Sequence, residues 1–73
     1  MFNIDISSST PIYEQIVDNV KEGILKGLFE PGEKLPSVRE LAKTMRLNPN
    51  TVQKAYQELE RQKVTITLRM KIN

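Results

Sequence analysis

The segment from Ser37 to Lys63 constrains the fold most, because it has the pattern of two short helices joined by a tight turn. Ser37 is followed three residues later by Glu40, which is the Ser-x-x-Glu capping box found at helix N-termini. Apolar residues then recur at helical spacing and form one stripe: Val38, Leu41, Ala42 and Met45. The pattern predicts a first helix that begins at Ser37 and buries one face.

A second helix is predicted to begin at Pro49, after a turn over residues 46–48. Asn48 is a good helix cap, and proline suits the first helical position because its missing N–H needs no partner there. The helix is expected to bury Val52, Ala55, Tyr56 and Leu59. Its polar residues are expected to face outward: Asn50, Thr51, Gln53, Lys54 and Gln57. The two helices together form a helix-turn-helix.

The outward residues of the second helix carry amides, a hydroxyl and an amine near the helix start. Such groups reach base edges and phosphates when a helix lies in a DNA major groove. An ordinary solvated helix face is the alternative, and the polar face alone would favour it. The capped first helix, the three-residue turn and the proline-started second helix together favour DNA binding.

A longer helix is predicted upstream, starting at Thr10-Pro11 in the same way as the helix at Asn48-Pro49. Its apolar stripe comprises Ile12, Ile16, Val17, Val20, Ile24 and Leu25. Gly27 is expected to end it in the left-handed conformation. Residues 1–9 are expected to form an extended arm, with Phe2, Ile4 and Ile6 alternating against polar residues.

The β content is predicted to be small. Residues 30–33 have the sequence of a turn, and Lys34–Pro36 is expected to form a very short edge strand with Leu35 pointing inward. Residues 64–68 alternate apolar and hydroxyl side chains, as in a half-buried strand that pairs near Leu35 or with a later strand. The predicted fold class is therefore mainly α with a small β component.

Composition excludes several classes of function. The chain has 73 residues, enough for one domain over residues 1–73, and contains neither cysteine nor histidine. Disulfides, thiolate or imidazole metal sites and Cys- or His-based catalysis are therefore excluded, and we expect no enzyme activity, catalytic residue, metal or cofactor. No apolar run is long enough to cross a bilayer, and the N-terminus does not resemble a signal peptide. We expect a cytoplasmic protein without a membrane partner.

Charge is distributed unevenly although the formal net charge is only +2. Residues 1–33 contain six carboxylates and two lysines, a net charge of −4. Residues 34–73 contain nine lysines or arginines and three glutamates, a net charge of +6. The basic half contains the helix-turn-helix, as phosphate neutralisation requires, although chance clustering in a short chain is the alternative.

Three stretches carry a resemblance to a known family. They are Pro11-Ile-Tyr-Glu-Gln-Ile16, then Gly27-x-x-x-Pro-Gly-x-Lys-Leu-Pro-Ser-x-Arg-Glu-Leu-Ala42, and Asn48-Pro-Asn-Thr-Val-x-Lys-Ala-Tyr-x-x-Leu-Glu60. In order and spacing they resemble the N-terminal winged-helix domain of GntR-family bacterial transcriptional regulators, and they are most similar to the YtrA-type branch. The resemblance covers residue 10 to about residue 61.

The resemblance implies a winged helix-turn-helix of three helices with a β-hairpin wing. It also implies a homodimer that binds double-stranded DNA at a palindromic operator, usually as a repressor released by a small-molecule effector. Arg39 matches a family arginine that contacts DNA from the first motif helix. The stretch that the family places in the major groove is matched by Asn48, Asn50, Thr51, Gln53 and Lys54. Arg69 and Lys71 match wing positions that reach the minor groove or phosphates.

For three of these residues, a structural role is an alternative to a DNA contact. Arg39 has the alternative of an ordinary surface charge paired to its neighbours Lys43 or Glu40. Lys54 has the alternative of a solvated lysine or a pair with Glu58 at helical spacing. Asn48 has the alternative of acting only as a helix cap.

The sequence departs from the family at the wing. Lys63 and Met70 stand where the family usually has glycine, and the chain ends at Asn73 without a second wing strand. We therefore expect a short or incomplete wing. The C-terminal segment through which the family dimerises and senses its effector is expected to be absent, so the isolated domain should bind DNA weakly. The alternatives are a protein-interaction winged helix and the N-terminal domain of a MocR-type regulator with an aminotransferase-like output domain.

Overall fold

The computed structural model describes residues 3–29 and 33–64, which form three α-helices. They are α1 (Ile12–Leu25), α2 (Val38–Met45) and α3 (Pro49–Arg61). Helix α3 packs against both of the others. The β structure of the described residues is limited to a single bridge at Lys34. The mainly α fold predicted from the sequence is confirmed, and no described helix combines the length and apolarity that a membrane span needs.

Helix α2 begins as its sequence predicts and ends in an unusual way. The Ser37 hydroxyl accepts a hydrogen bond from the Glu40 N–H at 3.1 Å. Arg46 follows the helix with φ 56°, and the Leu47 N–H donates to the Ala42 carbonyl at 2.9 Å. This hydrogen-bonding pattern is a Schellman motif, which normally uses glycine because other residues are strained at positive φ. Arginine therefore occupies a strained position in the turn of the helix-turn-helix.

Helix α3 also begins at the predicted residue. The Asn48 side-chain oxygen accepts from the Asn50 N–H at 2.8 Å, and Pro49 occupies the first turn. The helix ends at Arg61 rather than continuing to Lys63, because Lys63 adopts a φ of 57°. A left-handed residue here explains why glycine suits the position better than lysine.

Helix α1 differs from its prediction at the start and agrees with it at the end. Pro11, rather than Thr10, is the N-cap, and no side chain caps the helix. The Thr10 carbonyl instead accepts from the Gln15 side-chain amide at 2.8 Å. Gly27 has the predicted positive φ, 69°, and the Leu28 N–H closes a Schellman motif on the Gly23 carbonyl at 2.8 Å.

One hydrophobic core joins the three helices and the segment between α1 and α2. Its buried apolar residues are Ile16, Val17, Val20, Phe29, Leu35, Leu41, Ala42, Val52, Ala55, Tyr56 and Leu59. The prediction that Leu35 points inward is confirmed, since it is 1% exposed. The prediction for Leu25 is wrong, since it is 87% exposed. Each helical residue is rotated by about 100°, which carries Leu25 past the edge of the stripe that ends at Ile24.

The N-terminal arm lies along α1, held by two side-chain amides. Asn19 exchanges hydrogen bonds with the backbone of Asn3, at 3.0 and 3.3 Å. Gln15 does the same with the backbone of Asp5, at 2.8 and 3.0 Å. Ile4 packs against the core, whereas Ile6 is exposed because the chain turns after Asp5. The expected apolar alternation therefore ends at Ile4.

Several predictions fall outside the described residues. They are the placement of Phe2, the turn at residues 30–32, the strand over residues 65–68, and the wing residues Arg69, Met70 and Lys71. Val64, the first residue of the predicted strand, has helical rather than extended backbone, so the strand prediction is wrong at this residue. Val64 is half-buried and packs against the core.

Candidate nucleic-acid interface

The outer face of α3 presents polar side chains to solvent. Asn50, Gln53, Lys54 and Gln57 are exposed, and Thr51 is half-buried. Asn50 lies four residues before Lys54 and seven before Gln57, so the three side chains follow one another along one face of the helix. The opposite face is occupied by the buried residues of the core. The predicted division of α3 into a buried and an outward face is therefore confirmed, except that Thr51 is only partly exposed.

Asn48 keeps hydrogen-bonding capacity beyond its capping role. Its side-chain oxygen accepts from the Asn50 N–H, and its exposed amide nitrogen has two donors that no other described residue engages. The cap thus fixes the orientation of the side chain and turns the NH₂ group away from the helix backbone. Asn48 can serve as a cap and still donate to a ligand.

Arg39 is exposed in the first turn of α2. The ion pairs found within residues 3–29 and 33–64 are Lys26–Glu22 and Arg61–Glu58, and neither includes Arg39. The alternative of a charge paired to neighbouring Glu40 is therefore not what the structure shows. The guanidinium is left with its five donors available, a geometry that suits a phosphate or a guanine edge.

Lys54 has an aromatic partner that the sequence did not reveal. Its ammonium nitrogen lies 4.1 Å from the centroid of the Tyr13 ring on α1, which is a cation–π contact. Tyr13 belongs to one of the stretches that resemble the family, but it lies 41 positions before Lys54 in the chain. Periodicity within one helix cannot find a contact between two helices.

The alternative partner of Lys54, Glu58, is engaged elsewhere. Its carboxylate accepts from the Arg61 guanidinium, with Nε 3.0 Å from Oε1, and from the Gln62 side-chain amide. The Arg61 and Gln62 hydrogen bonds lower the pKa of Glu58 to about 2, from its ordinary value of 4.5. The alternative in which Lys54 pairs with Glu58 is therefore not found among the described ion pairs.

These features place the predicted site residues on two adjacent helices. Arg39 stands on α2 and the other described candidates stand at or near the start of α3: Asn48, Asn50, Thr51, Gln53 and Lys54. Arg69 and Lys71 lie outside the described residues.

Comparison with known sequences decides the family. The sequence pattern of the bacterial regulatory proteins of the gntR family matches residues 12–71. The chain belongs to the GntR family. This GntR-family domain is 62% identical over 69 residues to the HTH-type transcriptional repressor YtrA of Bacillus subtilis (strain 168), an alignment that covers 94% of this chain and 53% of YtrA.

Solved structures agree with the GntR assignment. YtrA from Sulfolobus acidocaldarius, a GntR-family transcription factor, superposes with a TM-score of 0.81 at 51% identity, over 84% of this chain and 65% of that one. A structure described as a transcriptional antiterminator from Listeria monocytogenes EGD-e superposes with a TM-score of 0.83 at 58% identity, over 88% of this chain and 48% of that one. The predicted winged-helix class and the YtrA-type branch are confirmed.

Membership of the GntR family also indicates the function of the domain. The chain is a transcriptional-regulator DNA-binding domain, and the prediction that it is not an enzyme is confirmed by the family. The chain spans about half the length of YtrA of Bacillus subtilis.

Proposed function

We propose that this GntR-family domain is the operator-reading part of a homodimeric transcriptional repressor. In the proposed complex, α3 lies in the major groove and α2 crosses the adjacent backbone. The observation that carries the proposal is the outer face of α3, where exposed amide and amine groups follow a capped helix start. The name of YtrA, the repressor at 62% identity, supports repression rather than activation.

The proposed contacts divide by their chemistry. Asn50 and Gln53 are the proposed base readers, because an amide can donate to and accept from one adenine edge. Thr51 is proposed to bond a base or a phosphate, and Asn48 to donate its free amide N–H groups. Arg39 and Lys54 are the proposed anchors on phosphate or guanine. Arg69 and Lys71 are proposed wing contacts.

A palindromic operator follows from the proposed homodimer. Two copies related by a two-fold axis would present two α3 helices to successive major grooves, about 10 bp apart. Relatives such as YtrA of Bacillus subtilis are about twice as long as the part that matches this domain. We propose that the dimer contacts, and any small-molecule effector site, lie in such an additional segment. The protein is proposed to act in the cytoplasm, where its DNA lies.

The test uses the 73-residue chain alone and the same chain fused to a dimeric coiled coil. Duplexes selected from a random pool by the fusion should contain two inverted half-sites. The fusion is then titrated with the selected duplex at several salt concentrations. The logarithm of the association constant should fall linearly with the logarithm of the salt concentration, with a slope of about −0.9 for each neutralised phosphate. The chain alone should bind the same duplex more weakly, and the coiled coil alone should not bind. A flat salt dependence, or a selection that enriches no sequence, would refute the proposal.

A further inference from the structure

The ring of Tyr13 joins α1 to the exposed face of α3. Tyr13 lies in the first turn of α1, and its half-buried side chain packs against the core. The ammonium of Lys54 lies 4.1 Å from the centre of that ring. Because the ring is fixed by packing on α1, the tip of the Lys54 side chain has a defined position beside the outer face of α3.

No described carboxylate forms an ion pair with this ammonium. Glu58 lies one turn further along α3. Both of its carboxylate oxygens accept hydrogen bonds from Arg61 Nε, at 3.0 and 3.1 Å. The Glu14 carboxylate, next to Tyr13, accepts a hydrogen bond from the tyrosine hydroxyl at 3.3 Å. Glu14 forms no described ion pair with Lys54. Lys54 is therefore exposed and outside the described ion pairs, while the Tyr13 ring restricts its position.

An aromatic ring restrains a lysine without consuming its hydrogen bonds. The ring attracts the charge through its quadrupole and leaves ammonium N–H donors that point away from the ring free for another acceptor. A free lysine loses side-chain entropy when it binds a phosphate, whereas a lysine already held by a ring has lost part of it beforehand. Lys54 follows Asn50 on the same face, so the held ammonium flanks the proposed base-reading residues.

We propose that Tyr13 is a positioning residue, which holds the Lys54 ammonium at the α1 side of α3 for a backbone phosphate of bound DNA. The inference rests on the proposed function and adds to it a residue on α1, a helix that carries none of the predicted contacts. Tyr13 itself need not touch DNA.

The experiment measures the affinity of the dimeric fusion for its selected duplex in a double-mutant cycle. Tyr13→Leu removes the aromatic face and should weaken binding about two- to fivefold. Tyr13→Phe keeps that face and should bind like the unchanged protein. In the Lys54→Met background, Tyr13→Leu should have no further effect, and Lys54→Met should lower the salt slope by about 0.9.

Three results would overturn the inference. They are an unchanged affinity in Tyr13→Leu, an equal loss of affinity from Tyr13→Leu in both Lys54 backgrounds, and a gain of affinity in Tyr13→Leu through release of a sequestered lysine. If Tyr13→Leu does not fold, Lys54→Met alone decides, and an unchanged salt slope refutes the inference. Failure of the proposed function is distinct, because the unchanged protein would then show no salt-dependent binding.

Nuclear magnetic resonance gives a readout that does not depend on DNA. The ε-methylene protons of Lys54 should be shifted upfield by the Tyr13 ring current in the unchanged protein and in Tyr13→Phe. The shift should disappear in Tyr13→Leu. Random-coil shifts for Lys54 in the unchanged protein would contradict the positioning.

Discussion

Gly23 of α1 lies directly against the ring of Phe29, because a β-carbon built on Gly23 would lie 2.6 Å from Phe29 Cε2. Glycine inside a helix has a propensity cost, and the sequence alone offers no compensation for it. The structure supplies one, since Phe29 is 8% exposed and closes the core where the chain leaves α1.

Gly23→Ala should therefore destabilise the domain although alanine is the better helix former. Moving a packed ring costs about 1–3 kcal/mol, and alanine returns about 1 kcal/mol of helix propensity. We expect a net loss of about 1 kcal/mol in the free energy of unfolding by urea. The double variant Gly23→Ala with Phe29→Leu should lose less stability than the two single variants lose together, because the smaller side chain leaves room for the alanine. A gain in stability from Gly23→Ala alone would contradict the close packing.

Tyr56→Phe should destabilise the domain through one lost hydrogen bond. The Tyr56 hydroxyl donates to the Pro36 carbonyl at 2.6 Å, and the side chain is 3% exposed. Losing the hydrogen bond to this half-buried carbonyl costs about 1 kcal/mol. Urea unfolding at neutral pH measures the loss. Tyr13→Phe is the matched control, because its hydroxyl bonds only the exposed Glu14 carboxylate and its loss should matter less.

Tyr56 should also make the stability of the domain depend on pH in the alkaline range. Burial, followed by the charge of Glu40, raises the pKa of Tyr56 to about 12 from its ordinary value of 10. A raised pKa contributes stability that is complete below pH 10 and is lost as the pH rises towards 12. The stability difference between the unchanged protein and Tyr56→Phe should shrink across this range, and a constant difference would contradict the shift.

Arg46→Gly should give a more stable domain than Arg46→Ala. Both substitutions remove the same charge, but only glycine relieves the left-handed backbone at φ 56°. The strain of a side chain there is about 1–2 kcal/mol, and the greater freedom of unfolded glycine offsets about half of it. We expect an advantage of about 1 kcal/mol for glycine in thermal or urea unfolding. Equal stabilities would show that Arg46 is not strained.

Glu58→Gln should lower stability at neutral pH and have no effect in strong acid. The Arg61 and Gln62 hydrogen bonds hold the pKa of Glu58 at about 2. A lowered pKa contributes stability above pH 4.5 that is lost as the pH falls towards 2, so the melting temperatures of the two proteins should converge over this range. Glu60→Gln is the control, since Glu60 is exposed on the same helix and outside the described ion pairs.

Arg39→Ala should weaken DNA binding about tenfold and change the free energy of unfolding by less than about 0.5 kcal/mol. Arg39 is exposed and makes no described ion pair, so its removal leaves no partner behind. Lys26→Ala removes an equal charge about 20 Å along α1 from Tyr13, and it should bind DNA almost normally. The DNA affinity of each variant is measured by titration with the selected duplex. Similar losses of affinity in the two variants would indicate an effect of net charge rather than a contact made by Arg39.

The local sequence determined where α2 and α3 begin. Ser37 and Asn48 each bond a backbone N–H within three residues, so the decisive interaction lies inside a few consecutive positions. The left-handed turn at Gly27 is predictable for the same reason, because the backbone conformation depends on that residue itself. The outward face of α3 follows from helical periodicity.

Tertiary structure decided what local sequence could not. The Lys54–Tyr13 contact joins residues 41 positions apart, and the need for glycine at Gly23 depends on where Phe29 packs. Leu25 is exposed although its stripe is apolar, because burial depends on the width of the surface that faces α1 and not on the residue alone. The sequence by itself thus determined the helices, the caps of α2 and α3, and the family. Only packing between helices determined the partner of Lys54, the need for glycine at Gly23 and the edge of the buried stripe at Leu25, since those interactions require segments that are distant in the chain to meet.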